Sequence, residues 1–373
     1  KKHIKYTKQT KAPVPQNCRL QAQGAQRVRN DMKKKLNYSV ISYQAEMADE
    51  ALGELLTADG QASAVPLDEE TALAATVPDF DRLCEIFRRR PPVFIRHIHP
   101  AEQTVELCGE RERDLEALCS AAESFKERVT QRYSVQCRIL GKHDGGLAPF
   151  DINSALSAVL AASGQECDIK NPVQVLSVTI ANGKAYMGLS LAKDNLSSWA
   201  GGRIRFRRED GQLSRAEFKL LEAEQTLGVA LFPGARVLDL GAAPGGWSRI
   251  ALERGCSVVA VDPAELDPGL LARRGITHIK KTAQEYLEAP ENDFDFILND
   301  MRMAPEESAA LIARFQPCLK DGGTVVLTLK LFGDKPRRQM LRALDTLGNY
   351  YTIVHVRQLF HNRSEVTVIL RKE

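Results

Sequence analysis

Apolar and polar positions follow mixed periods up to about residue 200 and a regular strand–helix alternation beyond it. "LNYSVISYQAEMADEALGELLTADG" opens with a two-residue alternation that predicts a strand, then shifts to a helical period ending near Gly60. The acidic, Ala-rich stretch to Asp81 reads as loop, and "FDRLCEIFRRRP" as a short helix stopped by Pro91. "PVFIRHIHPAEQTVEL" predicts two short strands or one bent strand. "RDLEALCSAAESFKERVTQ" is an amphipathic helix, "YSVQCRIL" a strand, and "DINSALSAVLAASG" a helix with Asp151 as its expected N-cap. "NPVQVLSVTIANGKAYMGLSLA" predicts a hairpin turning at Asn182-Gly183. From Ser214 onward the strands "ARVLDLG", "CSVVAVD", "FDFILND" and "GGTVVLTLK" alternate with helices, the pattern of a doubly wound α/β sheet. "YTIVHVRQLF" and "EVTVILRK" have no helix between them and are expected to pair antiparallel at one side.

Composition adds little: 43% apolar residues suffice for packed cores in 373 residues, a length that predicts two or three domains. No apolar run approaches the roughly 20 residues that span a bilayer, so no membrane partner is expected. The N-terminus carries no signal-peptide core, which makes a cytoplasmic location the expectation. Eight cysteines without a C-x-x-C pair argue against a zinc site and a disulfide framework, and no metal is expected. His97 and His99, flanking Ile98, read as surface or core histidines rather than ligands. Charge does change the picture. Residues 1–35 hold eleven Lys/Arg and one acid, about +10, leaving the remainder near −7. Residues 1–36 therefore read as a basic disordered arm, either a nucleic-acid contact or a solubilising tail.

The candidate chemistry sits at strand ends. "VLDLGAAPGGWS" places Val237–Leu240 before a glycine turn, Gly241 to Gly246, where glycines permit positive φ and close backbone approach. Pro244 removes one backbone donor that would cradle a pyrophosphate, so a ligand without phosphates is favoured over NAD. Asp262, 21 residues past Gly241 at the next strand's end, suits a ribose diol, and the pair fits S-adenosylmethionine. Asp300 ends a third strand. The letters after it, Met301-Arg302, do not form a [DN]-P-P-[YF] clamp, and no cysteine stands near, which leaves base-assisted attack by a hydroxyl. Lys330 breaks the apolar run "GGTVVLTLKLFG" at a costly position for an unpaired ammonium. In "LSRAEFKLLEAEQ", Ser214-x-x-Glu217 reads as a capping box starting a helix at Ser214, with Arg215 and Lys219 on one face. Glu365 enters the last strand. Solvated-surface readings exist for Lys219, Lys330 and Glu365 singly; their joint placement on one sheet favours function.

With these residues in view, the region from Ser214 to the C-terminus resembles the FtsJ-like, Rossmann-fold ribose 2′-O-methyltransferases. "SRAEFKL", "LNDM", "LTLKLF" and "RSEVTVI" match the family's Lys-Asp-Lys-Glu set at Lys219, Asp300, Lys330 and Glu365. "DLGAAPGGWS" matches its cofactor motif, so the resemblance implies cofactor contacts from Asp239, Gly241, Ala242, Pro244, Gly245, Gly246, Trp247, Asp262 and Asp300. Within "HIKKTAQEYL" it places Thr282 where the family often has an acid at the adenine. "VRQLFHNRSEVTV" is similar to the THUMP-containing branch that methylates a cytidine 2′-hydroxyl in 23S ribosomal RNA.

The resemblance implies this organisation: the arm to residue 36, a small α+β domain over 37–90 and a THUMP-like RNA-binding domain over 91–200. An Arg-rich linker over 201–213 and the methyltransferase domain over 214–373 complete it. Lys330 is the expected general base, with Lys219, Asp300 and Glu365 in support. RNA contacts are expected from Arg203, Arg205, Arg207, Arg208, Arg337 and Arg338. The rival readings are a tRNA 2′-O-methyltransferase, a silent RNA-binding protein on a methyltransferase fold, and a nicotinamide-dependent oxidoreductase.

Overall fold

In the computed structural model, which describes residues 35–141, 146–207 and 211–373, three sheets organise the chain. The basic arm expected over residues 1–36 falls, except for its last two residues, outside the described residues, as does Arg208. The first sheet comprises β1 (Asn37–Ser42), β2 (Ser63–Asp68), β3 (Thr71–Thr76) and β4 (His97–Pro100) in the order β2-β3-β1-β4. Helices α1 (Ala48–Ala58) and α2 (Phe80–Arg89) accompany it. The second sheet has the order β5-β8-β7-β6, from β5 (Gln103–Glu106), β6 (Tyr133–Ile139), β7 (Gln174–Ala181) and β8 (Lys184–Leu191). It carries helices α3 (Arg111–Ala122) and α4 (Pro149–Leu160). Asn182 and Gly183 both take positive φ, 51° and 72°, at the predicted β7–β8 turn.

The third sheet has seven strands: β9 (Arg236–Leu240), β10 (Ser257–Val261), β11 (Ile276–Ile279), β12 (Phe294–Asn299), β13 (Leu319–Lys330), β14 (Thr352–Arg357) and β15 (Glu365–Arg371). Their order, β11-β10-β9-β12-β13-β15-β14, is parallel except for β15, which runs antiparallel between β13 and β14. The chain turns from one side of β9 to the other at β12, and the crevice at such a switch point is where open α/β sheets hold ligands. Around the sheet lie α5 (Glu217–Thr226), α6 (Gly246–Glu253), α7 (Pro268–Leu271), α8 (Ala283–Tyr286), α9 (Pro305–Arg314) and α10 (Pro336–Gly348). Period-two alternation divides its strands between two cores. Leu238, Leu240, Val325, Leu327 and Leu329 join one cluster; Val237, Leu298, Val326 and Ile369 join another with Leu220, Trp247 and Ile250. The first cluster also contains Ile41, Leu55, Leu83, Phe87, Phe94 and Ile98, so the N-terminal sheet and helices share a core with the third sheet.

Four sequence expectations are corrected. Residues 61–81 are not a loop but the β2–β3 hairpin, whose small residues Ala72 and Ala74 pack inside. The first sheet does not stop at residue 90, because His97–Pro100 pairs with β1. Asp151 is not the α4 cap; that position is Ala148, and Asp151 reaches back to accept from its N–H at 3.0 Å. Helix α5 begins at Glu217 rather than Ser214, since Glu217 Oε1 accepts from Leu213 and Ser214 N–H and its Oε2 meets Arg249. His97 and His99 are core residues, His99 bonding Thr179 Oγ1 and the Pro100 carbonyl.

One half-buried acid joins the N-terminal elements. Glu54 of α1 accepts from Val93, Phe94 and Ile95 N–H at 2.6, 2.9 and 3.1 Å. Burial raises its pKa although those donors and Arg357 pull it down. Glu54→Ala would leave three backbone donors short of their acceptor, and should lower the unfolding free energy by about 2–4 kcal/mol. Urea titration measures this; a change below about 1 kcal/mol would show the clamp to be dispensable.

Candidate active site

Lys330 ends β13 directly opposite Glu365, the first residue of β15. Asp300 follows β12, and Lys219 reaches in from α5. Lys330 Nζ donates to Asp300 Oδ1 at 2.5 Å, Glu365 Oε2 at 2.5 Å and Thr328 Oγ1 at 2.8 Å. Three acceptors match the three N–H bonds of an ammonium. Lys219 Nζ contacts Asp300 Oδ1 at 3.0 Å, Oδ2 at 3.1 Å and Glu365 Oε1 at 2.5 Å. Each carboxylate thus bridges both lysines, and the four charges sum to zero. The four side chains are only 8–17% exposed, so removing any one would strand its partners in a poorly solvated place. Burial pushes the Lys219 pKa down, but Asp300 and Glu365 outweigh it and the net direction is up. Burial likewise raises Asp300, and Lys330 and Lys219 overcome it to hold the carboxyl below its ordinary value. The four residues that the sequence placed at strand ends and on one helix meet in one cluster.

The glycine turn lies at the same sheet edge, one strand away. Gly241 takes φ 71°, and a Cβ there would lie 2.1 Å from Met301 Cγ. Gly245 (φ 112°) caps α6, and its added Cβ would meet Leu270 at 2.2 Å. Ala242 is buried and Gly246 is the first residue of α6. The Pro244 carbonyl accepts from Asp267 N–H. Asp262 Oδ2 accepts from Ala243 N–H and Oδ1 from Ala264 N–H, which closes the turn and leaves each oxygen a second acceptor site. Trp247 is spent on structure: its buried indole donates to the Ala216 carbonyl at 2.7 Å. Thr282 is exposed and caps α8 in a reciprocal box with Glu285. Asn299, fully buried at the β9–β12 switch, accepts from Met301 N–H, while its Nδ2 has no partner among the described residues.

The arginines separate. Arg203 is half-buried in an ion pair with Glu70, whereas Arg205, Arg207 and Arg338 are exposed. Arg337 lines a cleft of about 380 Å³ between α1–α2 and α10–β14, away from the lysine–carboxylate cluster. No group of His, Cys, Asp or Glu that could hold a metal occurs among the described residues, nor any helix long and apolar enough to cross a membrane. Thr328, like Asn299, is a site residue that sequence reasoning missed: it donates to Asp300 Oδ1 at 2.5 Å while accepting from Lys330. Its signal was the two-residue period that puts it on the face of Lys330.

Asp239 lies in β9 beneath the turn and accepts from Ser248 Oγ at 2.7 Å. Burial pushes its pKa up to about 7; the Ser248 bond opposes that, and Asp300 and Asp262 add to it. The unfolded value is about 3.9, so folding binds a proton between the two values, and the ionised carboxylate costs stability as pH rises through about 7. Asp239→Asn should therefore lose less stability between pH 5 and pH 8 than the wild type, by on the order of 2 kcal/mol. Equal losses in urea titrations at the two pH values would contradict the shift.

Residues 212–358 match the family model described as FtsJ-like methyltransferase. Among curated proteins, the chain is 32% identical over 179 residues to "Ribosomal RNA large subunit methyltransferase M" of Halorhodospira halophila, covering 47% of this chain and 51% of that protein. It is 31% identical over 224 residues to the protein of the same name from Cellvibrio japonicus, covering 57% and 63%. The chain thus spans between half and two thirds of the length of these relatives. Among solved structures, TrmN from Thermus thermophilus overlaps 91% of this chain and all of its own at 20% identity, with a TM-score of 0.39, too loose a superposition to carry weight. The family match, the seven-strand order and the glycine turn after β9 together make residues 212–358 a Rossmann-like α/β domain similar to the FtsJ-like methyltransferases.

Proposed function

We propose that this chain is an S-adenosylmethionine-dependent RNA ribose 2′-O-methyltransferase acting on a cytidine of 23S ribosomal RNA. The observation that carries the reading is the neutral cluster of Lys219, Asp300, Lys330 and Glu365 at the sheet edge that also bears the glycine turn. The residues present fit the cofactor. The spare acceptor sites of Asp262 suit a ribose diol, the unpartnered Asn299 amide offers a buried donor, and Gly241–Gly246 gives backbone access. Asp239 supports that turn from below through Ser248, and Ala242, Pro244 and Trp247 shape it. Thr282 has its N–H and hydroxyl engaged by Glu285 and its carbonyl by Tyr286 N–H, so its role at the adenine is steric. When bound, S-adenosylmethionine supplies a methyl group on a positively charged sulfur.

The chain's residues supply the base and its orientation. Lys330 takes the proton of the ribose 2′-hydroxyl, for which it must first be a neutral amine. Lys219, whose pKa is raised, remains the cation that keeps Asp300 and Glu365 in place. With Lys330 neutral the cluster carries one net negative charge, which favours a cation beside it. A neutral Lys330 keeps two N–H bonds, so it gives up one of its three acceptors, and the two that remain among Asp300, Glu365 and Thr328 fix where its lone pair points, a positioning contribution. The second sheet over residues 103–191 and the exposed Arg205, Arg207 and Arg338 would hold the RNA, largely by its shape and phosphates.

The test uses unmodified 23S rRNA and bulk tRNA as separate substrates with methyl-labelled cofactor, followed by alkaline hydrolysis, which spares the linkage beside a 2′-O-methyl group. Label is expected in 23S rRNA at an alkali-resistant cytidine. Lys330→Ala and Lys330→Arg should each lose at least about 100-fold in rate, because guanidinium does not give up its proton at working pH. Label in tRNA alone would overturn the substrate, and a near-wild-type rate in Lys330→Arg would overturn the base.

A further inference from the structure

We propose that Phe206, Phe218 and His361 form a nucleobase subsite at the rim of the lysine–carboxylate cluster, selecting an unstacked RNA base with an exocyclic amino group. The inference rests on the RNA substrate proposed above and deepens it. Phe206 stacks on Phe218 with centroids 5.8 Å apart and planes 15° from parallel. His361 lies 5.4 Å from the first ring and 5.1 Å from the second. All three are half-buried, so the group keeps an accessible edge. It stands on the segments that carry the reacting residues: Phe218 precedes Lys219 in α5, and His361 lies four residues before Glu365. Phe206 also stands between the exposed Arg205 and Arg207, cations placed to meet the phosphates of a strand whose bases reach the rings.

The imidazole is oriented by a buried acid. Glu222 accepts from Phe360 N–H at 2.7 Å, His361 N–H at 2.9 Å and His361 Nδ1 at 2.7 Å. An ionised carboxylate only accepts, so Nδ1 carries the proton, and in the neutral ring Nε2 is left as an acceptor. Nε2 has no partner among the described residues and is not buried away from solvent. A lone acceptor beside aromatic faces complements the N4 amino group of cytosine or the N6 amino group of adenine and opposes the O4 carbonyl of uracil.

The test measures binding of fluorescein-labelled oligo(C), oligo(A) and oligo(U) above pH 8 with S-adenosylhomocysteine present. Wild type should bind oligo(C) and oligo(A) about tenfold tighter than oligo(U). His361→Phe, which keeps a ring but removes the acceptor, should abolish that preference. Phe206→Leu should weaken all three about tenfold and leave S-adenosylhomocysteine affinity unchanged. A measurement on the wild type alone guards against misfolded variants: 2-aminopurine within oligo(C) should be quenched on binding as it stacks. No preference in the wild type, a preference that survives His361→Phe, or no quenching would overturn the subsite. Failure of every RNA to bind the wild type would instead overturn the RNA reading beneath it.

Discussion

Two lysines and two carboxylates share one poorly solvated crevice, and each charge is tolerable there because the other three are present. The surrounding fold delivers these four groups from four elements. Asp300 comes from the β12 end, Lys330 from β13, Glu365 from the antiparallel β15 and Lys219 from α5. The antiparallel insertion of β15 matters most, because it sets Glu365 opposite Lys330 at the sheet edge that parallel strands use for ligands.

Further buried acids secure the segments around the cluster. Glu217 joins the start of α5 to Arg249 of α6, and so ties Lys219's helix to the helix that leaves the glycine turn. Glu222, one turn further on, grips the backbone of Phe360 and His361 in the loop leading to Glu365. Helix α5 therefore serves the site twice from one face, presenting Lys219 and, three residues on, anchoring the β14–β15 loop through Glu222.

The N-terminal sheet reaches the same loop. Arg96 lies 5.7 Å over the Phe360 ring and donates to the Asn362 carbonyl at 3.5 Å. Arg357, next to that loop, donates to the Pro92 and Arg96 carbonyls, and Gln358 N–H donates to the Val93 carbonyl at 2.9 Å. These contacts fall on the segment whose N–H groups Glu54 holds. With the shared apolar core, they make the N-terminal region a support for the edge that bears the lysine–carboxylate cluster.

The sequence by itself determined the doubly wound sheet, the turn at Gly241–Gly246 and the placement of Asp262, Asp300, Lys330 and Glu365 at strand ends. Those features are written in local periodicity, and a charge that interrupts an apolar strand is conspicuous wherever it occurs. Boundaries that depend on partners distant in sequence were not legible. The β2–β3 hairpin looked like loop because its alanines carry little strand preference and gain their burial only against α1 and α2. β4 could not be assigned to the first sheet until β1 offered it an edge, and Glu217, the expected cap partner of Ser214, divides between the Leu213 and Ser214 N–H groups and Arg249. Thr328 and Glu222 are ordinary letters in the chain. Only tertiary structure decided that one hydroxyl would bridge Asp300 and Lys330, and that one acid would orient His361, because a hydrogen bond across the fold depends on where two backbones meet.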